Sequence, residues 1–457
     1  MALRDYFKNP LIEAAYAGMY WMKKNNHLKM LKLLDQSQYY SPQRLRELQI
    51  KKLRQLILTA FESSPFWKKR FDSIGLERGD IDGLKSPEKI PVLTKRDIIE
   101  KRDQILIREG DGSRLIKNRS GGTTGSPLLC YLDSHKAAVR KAATIRHNLW
   151  SNFKIGDRQA IIWSAPGDFG KGKSKKTRLR ELFWGRHVLL DAANISQVTM
   201  ADFADRWRKF KPEVILAYAG ALDIFVDFLI SHSIQIPGIR TIITSAEVLT
   251  DRARVKIENY FGVKVFDRYG CREVSLIGSE CDGHDGLHVN AENLWLEFEP
   301  IQKDKEGRQA ARVLITDLEN HVFPFIRYRL GDVVIIDDSE KPCPCGRTLP
   351  KIISVAGRIS EYIRSGDGRY ISGTGLTINL LSKAPGILKA QIVQKSLNNI
   401  LLRIVKNDNF DDNSIRILRK EFGKLVGEKV SLEFEYPERI EREKSGKYRL
   451  VISEIDK

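Results

Sequence analysis

The sequence predicts an α/β protein with a large N-terminal domain of sheets and helices and a small α+β C-terminal domain. Short apolar segments alternate with amphipathic ones between residues 129 and 266, and strand-like patterns dominate residues 287–356. The remaining stretch of roughly a hundred residues has the usual size of a separate domain. We therefore divide the chain into residues 1–356, with a strand-rich subdomain near 287–356, and residues 357–457.

Composition is that of an ordinary globular protein. The chain has 457 residues, of which 42% are hydrophobic and 30% charged, and this excludes fibrous and disordered architectures. Lysine and arginine number 77 and aspartate and glutamate 58, which gives a formal charge of +19. That charge favours anionic partners such as nucleotides, coenzymes, nucleic acid or an anionic membrane surface, without choosing among them.

The helical signals come first along the chain. Apolar residues recur at three- and four-residue steps over residues 42–75, which predicts an amphipathic helix that Pro65 ends. Thr94 is placed to cap a further helix. The apolar segments that follow predict short buried strands of an α/β sheet at residues 129–132, 159–163, 188–190, 214–216, 239–244 and 263–266.

Cysteine usage and hydropathy indicate a cytoplasmic protein without a membrane span. The five cysteines are an odd number in a long chain, which argues against a secreted disulfide framework. The most apolar stretch, residues 214–230, contains Asp223 and Asp227, which would be costly in lipid. Peripheral membrane contact near Tyr16 and Trp21 stays open, although a helix packed on its own domain explains these residues better.

A glycine- and hydroxyl-rich segment runs from Arg119 to Pro127 and leads into the apolar strand at 129–132. Glycines let backbone amides approach phosphate oxygens, and the hydroxyls of Ser120, Thr123 and Thr124 add donors. The segment lacks the lysine and the following helix of the common P-loop. It is chemically a phosphate-binding loop, and a solvent-exposed hairpin turn is the alternative.

Two further clusters carry ligand chemistry. The first offers five thiolate and imidazole ligands where tetrahedral Zn²⁺ needs four, and it consists of Cys281, His284, His288, Cys343 and Cys345. Reduced cysteines without a metal are the alternative. The second is the basic run over residues 171–180, which is either a solvated loop or a site for phosphates. No nucleic-acid fold signature accompanies it, so we predict no nucleic-acid partner.

The glycine-rich segment, residues 120–127, resembles the phosphate loop of the adenylate-forming superfamily, which includes acyl-CoA synthetases. Further matches follow in the order of that superfamily: residues 245–250 with the adenine pocket, 269–273 with Tyr-Gly-x-x-Glu, 328–332 with Tyr-Arg-x-Gly-Asp, 357–358 with the hinge, and 445–447 with the C-terminal lysine motif. The resemblance is closest to phenylacetate-CoA ligases and to their relatives named for capsular polysaccharide biosynthesis and coenzyme F390 synthesis. Residues 1–40 lie outside it.

The resemblance implies an adenylate-forming ligase fold with a mobile C-terminal domain, and it assigns a role to each matching residue. Asp332 accepts the ribose hydroxyls, Glu273 binds Mg²⁺, and Arg358 binds ribose or phosphate near the hinge. Lys447, Glu273 and Thr123 are the implied catalytic residues. The implied ATP-binding residues are Ser120, Gly121, Gly122, Thr123, Thr124, Gly125, Ala246, Glu247, Tyr269, Gly270, Asp332 and Arg358. The usual hinge Asp or Lys is replaced here by Ser360, so only the position of the hinge carries over.

For the metal, the resemblance favours Cys281, His288, Cys343 and Cys345, because the relatives have a similar pattern of ligands; His284 is held in reserve. A structural zinc site is expected, since protein ligands would fill all four positions.

The implied activity is ATP- and Mg²⁺-dependent activation of a carboxylic acid to an acyl-adenylate, followed by transfer to coenzyme A. Three alternatives stay open: transfer to an amine or hydroxyl of a sugar or carrier, F390-type nucleotidyl transfer, and a non-catalytic nucleotide-binding scaffold. Neither the acid nor the oligomeric state follows from the sequence, and a homodimer is left open.

Overall fold

The chain is represented by a computed structural model that describes residues 3–22, 26–107, 115–119, 128–163, 186–192, 194–304, 306–337, 339, 341–358, 362–365, 370–372, 384–427, 430–441 and 449–455. Its contacts divide it into two compact units. The first holds residues 1–298, 313–330 and 337–354, and the second holds residues 299–312, 331–336 and 355–457. The domain boundary at residue 356 and the mobility of the C-terminal domain stay predictions.

The described helices have capping residues at several of their ends. They are α1 (Pro10–Met22), α2 (His27–Ser37), α3 (Pro42–Ser63), α4 (Pro65–Asp72), α5 (Lys95–Ile105), α6 (Ser134–Trp150), α7 (Gln197–Phe210), α8 (Ala219–Ser231), α9 (Asp251–Phe261) and α10 (Asp412–Val426). Short 3-10 helices cover Leu3–Tyr6 and Arg78–Gly83. None of these helices combines the length and the apolar character that a membrane span needs.

Two of the predicted helix signals can be compared directly with these ends. The cap at Thr94 is confirmed, because Thr94 Oγ1 accepts from the Asp97 amide at 3.2 Å and the Asp97 carboxylate accepts from the Thr94 amide at 2.8 Å. The single helix expected over residues 42–75 is instead two. Pro65 ends α3, as predicted, but it also begins α4, because proline has no N–H and the first helical position needs none.

The strands fall into several sheets. They are β1 (Ile116–Arg119), β2 (Leu129–Leu132), β3 (Gln159–Ile162), β4 (His187–Leu190), β5 (Val214–Tyr218), β6 (Thr241–Ser245), β7 (Val265–Cys271), β8 (Ser275–Glu280), β9 (Leu287–Val289), β10 (Leu294–Lys303), β11 (Gln309–Asp317), β12 (Tyr328–Ile336), β13 (Lys351–Arg358), β14 (Tyr362–Arg364), β15 (Tyr370–Ser372), β16 (Ile387–Ser396), β17 (Asn399–Lys406), β18 (Ser431–Glu435) and β19 (Val451–Ser453).

The main sheet has a parallel half, in the order β4-β3-β5-β6-β7. Helices α7, α8 and α9 connect its strands, and their apolar faces pack with β3, β5 and β6 in one core that includes Trp207 and Phe225. This arrangement confirms the predicted α/β sheet. From β7 the sheet turns antiparallel through β8, β9 and β13, and it continues through β12, β11 and β10.

One predicted strand lies outside that sheet. Residues 129–132 form β2, which pairs with β1 in a separate antiparallel pair with Arg119 opposite Leu129. Only residues 120–128 separate the two strands, and a connection that short suits an antiparallel hairpin, whereas a parallel neighbour usually requires a longer crossover. The two strands on either side of the glycine-rich segment are therefore paired as an antiparallel hairpin.

The second unit has its own small sheet and core. The sheet order is β18-β17-β16-β19, in which β17 and β18 are parallel and α10 is the crossover between them. Leu418 and Phe422 of α10 pack against Ile392, Ile400 and Leu402 of the sheet.

The N-terminal residues that lie outside the family resemblance pack on α6. Tyr6, Phe7 and Tyr16 form an apolar cluster with Leu31 and with alanines of α6. The Tyr16 hydroxyl lies 3.0 Å from His27 Nε2. Tyr16 is therefore part of the core of its own unit, and this favours internal packing over membrane contact for that residue.

A buried ion pair joins α6 to the segment before β10. Arg146 and Glu292 are each 1% exposed and lie 2.5 Å apart, and Arg146 also donates to Asn290 and to the Leu34 carbonyl. The desolvation cost of these charges is offset only while both partners are present.

We therefore expect Arg146→Met to destabilise the protein by about 3–5 kcal/mol, because Glu292 would keep its charge without its partner. Urea unfolding followed by circular dichroism measures the change. The matched control is Arg206→Met, which breaks the exposed pair with Asp202 (43% and 64% exposed) and should cost less than about 1 kcal/mol. Equal losses in the two variants would contradict this assignment.

A second buried carboxylate, Glu319, gives stability a pH dependence. Burial raises its pKa, but the hydrogen bond from His135 at 2.7 Å and the Lys52 charge outweigh burial and lower the pKa from 4.5 to about 2. A folded-state pKa below the unfolded one means that the stabilisation is present above pH 4.5 and is lost as the pH falls toward 2. We expect Glu319→Gln to remove on the order of 3 kcal/mol of acid-dependent stability, measured from unfolding curves between pH 7 and pH 2.

Candidate functional site

Four metal-type ligands come together where β8, β9 and the loop before β13 meet. The donor atoms of Cys281, His288, Cys343 and Cys345 all lie within 4.8 Å of one another. The Cys281 and Cys343 sulfurs are 3.5 Å apart, and His288 Nε2 lies 3.3 Å from the Cys345 sulfur. These are the four ligands that the sequence favoured, and three of them are buried.

His284, the reserve ligand, lies outside this group. Its Nδ1 is 3.4 Å from the Glu280 carboxylate, and its ring packs against Phe266 with the centroids 4.5 Å apart. Glu280 is also bound by both terminal nitrogens of Arg254. His284 therefore belongs to an ionic network beside the ligand group.

The surroundings of the four ligands suit a closed site. His288 Nδ1 lies 3.0 Å from the Leu349 carbonyl, which leaves Nε2 facing the sulfurs. Burial lowers the pKa of His288 to about 4, so the ring is neutral, as a metal ligand must be. The backbone amides of Gly283 and Arg347 donate to the Cys281 and Cys345 sulfurs at 3.3 and 3.4 Å.

Two glycines allow the turn between β8 and β9 to approach the ligand loop, which is the segment before β13 that contains Cys343 and Cys345. A Cβ on Gly283 would lie 3.2 Å from the Cys343 sulfur. Gly286 has a φ of +79°, and a Cβ there would lie 2.6 Å from the Ile352 carbonyl oxygen. The close contact between the two segments therefore requires glycine at position 286 and leaves little room for a side chain at position 283.

The ligand loop also holds elements distant in sequence. Arg347 donates to the Gln38 side chain at 2.9 Å and to Asp282 at 2.9 Å, and Thr348 donates from its backbone to the Gln38 carbonyl. The indole of Trp150, at the end of α6, donates to the same Gln38 side chain. The four ligands thus lie at a junction of α2, α6 and the antiparallel half of the sheet, where a closed metal site would have a structural role.

A second site is formed where the parallel strands β5, β6 and β7 end. The register places Tyr218, Ser245 and Arg268 opposite one another. The residues that follow are Ala219 and Gly220 after β5, Ala246 and Glu247 after β6, and Tyr269 and Gly270 on β7. The carboxyl edge of adjacent parallel strands is where open α/β sheets bind ligands.

Local backbone geometry fixes these residues. Ala246 has a φ of +70°, a strained conformation for a residue with a side chain. The Glu247 carboxylate accepts a hydrogen bond from the Gly220 amide at 2.8 Å, which ties the end of β6 to the start of α8. Gly270 needs to lack a side chain, because a Cβ would lie 2.7 Å from the Ser275 carbonyl oxygen in the adjoining turn.

Glu273 is half-buried in the turn between β7 and β8, three residues after Gly270. The base of the glycine-rich hairpin is fixed to this turn, because the Asn118 side chain donates to the Arg272 carbonyl at 2.5 Å. Burial, and then the Glu273 charge, raise the pKa of Cys130 on the other hairpin strand to about 12. Both flanks of the glycine-rich segment therefore lie near Glu273.

The segment itself, with Ser120, Gly121, Gly122, Thr123, Thr124 and Gly125, lies outside the described residues. Lys447 and the basic run at 171–180 also lie outside them. Asp332 is buried on β12 within the second unit and follows Gly331, whose φ is +84°. Arg358 is the last residue of β13. The assigned roles of these residues stay predictions.

Most of the chain is similar in sequence to known proteins. Residues 363–454 match the family model of the CapK C-terminal domain. Protein CapK of Staphylococcus aureus is 23% identical over 400 residues, which cover 83% of this chain and 84% of that protein. The phenylacetate-coenzyme A ligase of Pseudomonas putida is 23% identical over 401 residues, 85% of each chain. This chain is therefore similar in sequence to CapK and to phenylacetate-coenzyme A ligases.

Solved structures show the fold of this chain. The 2-hydroxyisobutyryl-CoA ligase in the postadenylation state, in complex with 2-HIB-AMP, matches with a TM-score of 0.68 and 18% identity over 92% of this chain and 91% of that chain. The anthranilate-CoA ligase AuaEII in complex with anthranoyl-AMP matches with a TM-score of 0.52 and 13% identity over 75% and 67%. The predicted adenylate-forming ligase fold is confirmed.

Several contacts in these two sites were not predicted from the sequence. Asn118 anchors the hairpin, and its position next to the glycine-rich segment was a usable signal. Arg347 follows Cys345 by two residues and supports the ligand loop through Gln38, a residue about three hundred positions away. The Glu247–Gly220 bond depends on strand register, for which the sequence carried no signal.

Proposed function

We propose that this protein activates a carboxylic acid with ATP and transfers the acyl group to coenzyme A. The observation that carries the proposal is the alignment of Gly220, Glu247 and Tyr269 at one edge of the parallel strands, with the turn of Glu273 and the base of the glycine-rich hairpin beside them. The homology to phenylacetate-coenzyme A ligases supports the same chemistry.

In the first step a carboxylate oxygen attacks the α-phosphorus of ATP. The bond to pyrophosphate breaks, and an acyl-adenylate forms. Tyr269 offers a ring that can stack on adenine, and the backbone at Ala246 borders the base. The hydroxyls and amides of residues 120–125 would bind the phosphates, and Lys447 would neutralise charge at the α-phosphate.

In the second step the acceptor thiol attacks the acyl carbon, the carbon–oxygen bond to AMP breaks, and AMP leaves. Asp332 would hold the ribose, and Arg358 would lie near the hinge of the C-terminal domain.

Two metals fit this scheme. Mg²⁺ would be held by Glu273 with the nucleotide phosphates and would neutralise their charge. Zn²⁺ would be held by Cys281, His288, Cys343 and Cys345 and would stabilise the fold.

The similarity to known proteins does not decide which group accepts the acyl group in the second step. A second candidate transfers the acyl group of the adenylate to an amine or hydroxyl of a sugar or carrier and releases AMP, and the similarity to protein CapK keeps this candidate open. F390-type nucleotidyl transfer and a non-catalytic nucleotide-binding scaffold stay open as well.

Acid-dependent exchange of labelled pyrophosphate into ATP tests the adenylation step over a panel of acids. We expect exchange with at least one acid, and Lys447→Ala should lower its rate by about 10²–10³, the usual effect of removing one electrostatic contact in a transition state. Coenzyme A should then accelerate AMP release. If AMP release is accelerated only by an amine or an alcohol, that group is the acceptor instead of the thiol. If no acid supports pyrophosphate exchange, the nucleotide-binding scaffold is favoured.

A further inference from the structure

The turn between β7 and β8, which carries Glu273, is short and strained. Cys271 and Ser275 pair across its base, so only residues 272–274 lie between the two strands. Ser275 has a φ of +83°, which a residue with a side chain rarely adopts. Because strain of this kind persists only where the surrounding structure holds it, contacts from outside the turn help to decide its conformation.

Asn118 makes such a contact from the hairpin of β1 and β2. Its side-chain amide donates to the Arg272 carbonyl at 2.5 Å, which joins two segments 154 residues apart. Asn118 is the buried residue of β1, whose other residues are exposed. Its backbone is also held, because it pairs with Cys130 of β2 and its carbonyl oxygen lies 3.6 Å from the Cys130 sulfur. Asn118 is therefore a fixed point against which the turn is placed.

The carbonyl that Asn118 binds belongs to the peptide bond between Arg272 and Glu273. A peptide unit is planar, so holding this oxygen also sets the positions of the Glu273 nitrogen and Cα. The contact leaves the Glu273 carboxylate available, since that carboxylate forms no hydrogen bond or ion pair with any other described residue. A half-exposed carboxylate in this state fits Mg²⁺, which takes oxygen ligands from one or two carboxylates and from the phosphates of a substrate.

Residues that orient a metal ligand without touching the metal commonly decide how tightly the metal binds. Asn118 stands in this relation to Glu273, since it binds the backbone on which Glu273 is carried. We propose that Asn118 is a positioning residue for Mg²⁺, which holds the Arg272–Glu273 peptide so that the Glu273 carboxylate can bind the cation beside the nucleotide phosphates. The inference rests on the proposed function, because it assumes that Glu273 binds the Mg²⁺ of a bound ATP.

Equilibrium dialysis of labelled ATP against the full chain, without acid, tests the proposal over a range of Mg²⁺ concentrations. In Asn118→Ala, we expect the Mg²⁺ concentration for half-maximal ATP binding to rise about 10- to 100-fold, the usual effect of removing a group that orients a metal ligand. ATP binding in EDTA should be the same in the wild type and the variant, because Asn118 acts on the nucleotide through the cation. A general loss of structure would instead weaken ATP binding under both conditions.

The control for the stability of the hairpin is Asn320→Ala. The Asn320 side chain is also buried and donates to a carbonyl of the same hairpin, that of Tyr131 on β2, at 3.0 Å. Its loss should lower stability without shifting the Mg²⁺ dependence, because its partner lies outside the turn of Glu273. If Asn118→Ala fails to fold by circular dichroism, Asn118→Leu takes its place, since leucine is similar in size to asparagine and has no donor.

A double-mutant cycle with Glu273→Gln shows whether Asn118 acts through Glu273. Adding Asn118→Ala to Glu273→Gln should cause no further shift, since no carboxylate is left to position. An additive shift, an equal shift in Asn320→Ala, or an unshifted Mg²⁺ dependence in the folded Asn118 variant overturns the proposal, as does wild-type ATP binding that Mg²⁺ leaves unchanged. Wild-type protein that binds ATP with Mg²⁺ but shows no acid-dependent pyrophosphate exchange would contradict acid activation alone and leave the binding result standing.

Discussion

Cys343→Ser is expected to release the metal and to cost several kcal/mol of stability. Binding of structural zinc in small domains is worth about 10–16 kcal/mol, and only part of that should appear in a domain with its own apolar core. The Cys343 sulfur lies 3.5 Å from that of Cys281, so its loss opens one side of the ligand group. Metal analysis of the purified protein and its thermal unfolding curve measure the two effects.

The stability loss expected for Cys343→Ser follows from the contacts that the ligand loop makes with distant elements. Arg347 and Thr348 hold Gln38, and the same Gln38 side chain accepts from Trp150 on α6. Release of the loop should therefore loosen residues 37–40 and the end of α6, which would gain hydrogen exchange before the rest of the unit. Cys271→Ser is the matched control, since that thiol lies outside the group and the variant should keep one zinc per chain. Wild-type protein purified without zinc would refute the assignment.

Glu273→Gln is expected to lower acid-dependent pyrophosphate exchange by about 10²–10³. The amide keeps the shape of the side chain but removes the negative charge that a hard cation needs, so charge at the phosphates would go without neutralisation. The fold should be unaffected, because Glu273 is half-exposed in a turn. Rates at saturating ATP and acid measure the effect.

The control for Glu273→Gln is Glu438→Gln, an exposed glutamate of the second unit, which should exchange at the wild-type rate. Excess Mg²⁺ should restore part of the Glu273→Gln rate if the carboxylate binds the cation. Wild-type exchange in Glu273→Gln would exclude Glu273 from the catalytic site and leave the remaining edge residues to be tested.

The sequence was most informative where chemistry and spacing coincide. The cluster of five Cys and His residues was found because few residue types bind zinc, and the family resemblance then selected the four that share a site. The α/β sheet followed from buried apolar segments of strand length. The cap at Thr94 follows a local rule and needed no tertiary information. The strands and the cap depend on residues close to one another along the chain, whereas Cys281 and Cys343 are 62 residues apart and were linked by residue type.

Features set by long-range packing were not visible. The pairing of β2 with β1, instead of with the main sheet, and the Arg146–Glu292 pair both join segments whose contact no local pattern encodes. One cavity of the first unit is likewise lined by Lys117, Arg140 and Arg272, which come from three different elements. Strand register and helix docking decide these contacts, and both are properties of the folded chain.

Acid labelled with ¹⁸O in its carboxylate gives the most direct test of the central claim. If a carboxylate oxygen attacks the α-phosphorus and the acyl group is later transferred, one ¹⁸O must remain on the phosphate of AMP, which mass spectrometry detects. We predict one labelled oxygen per AMP released with coenzyme A as acceptor. Label in inorganic phosphate with ADP as product, or AMP without label, would contradict adenylate formation.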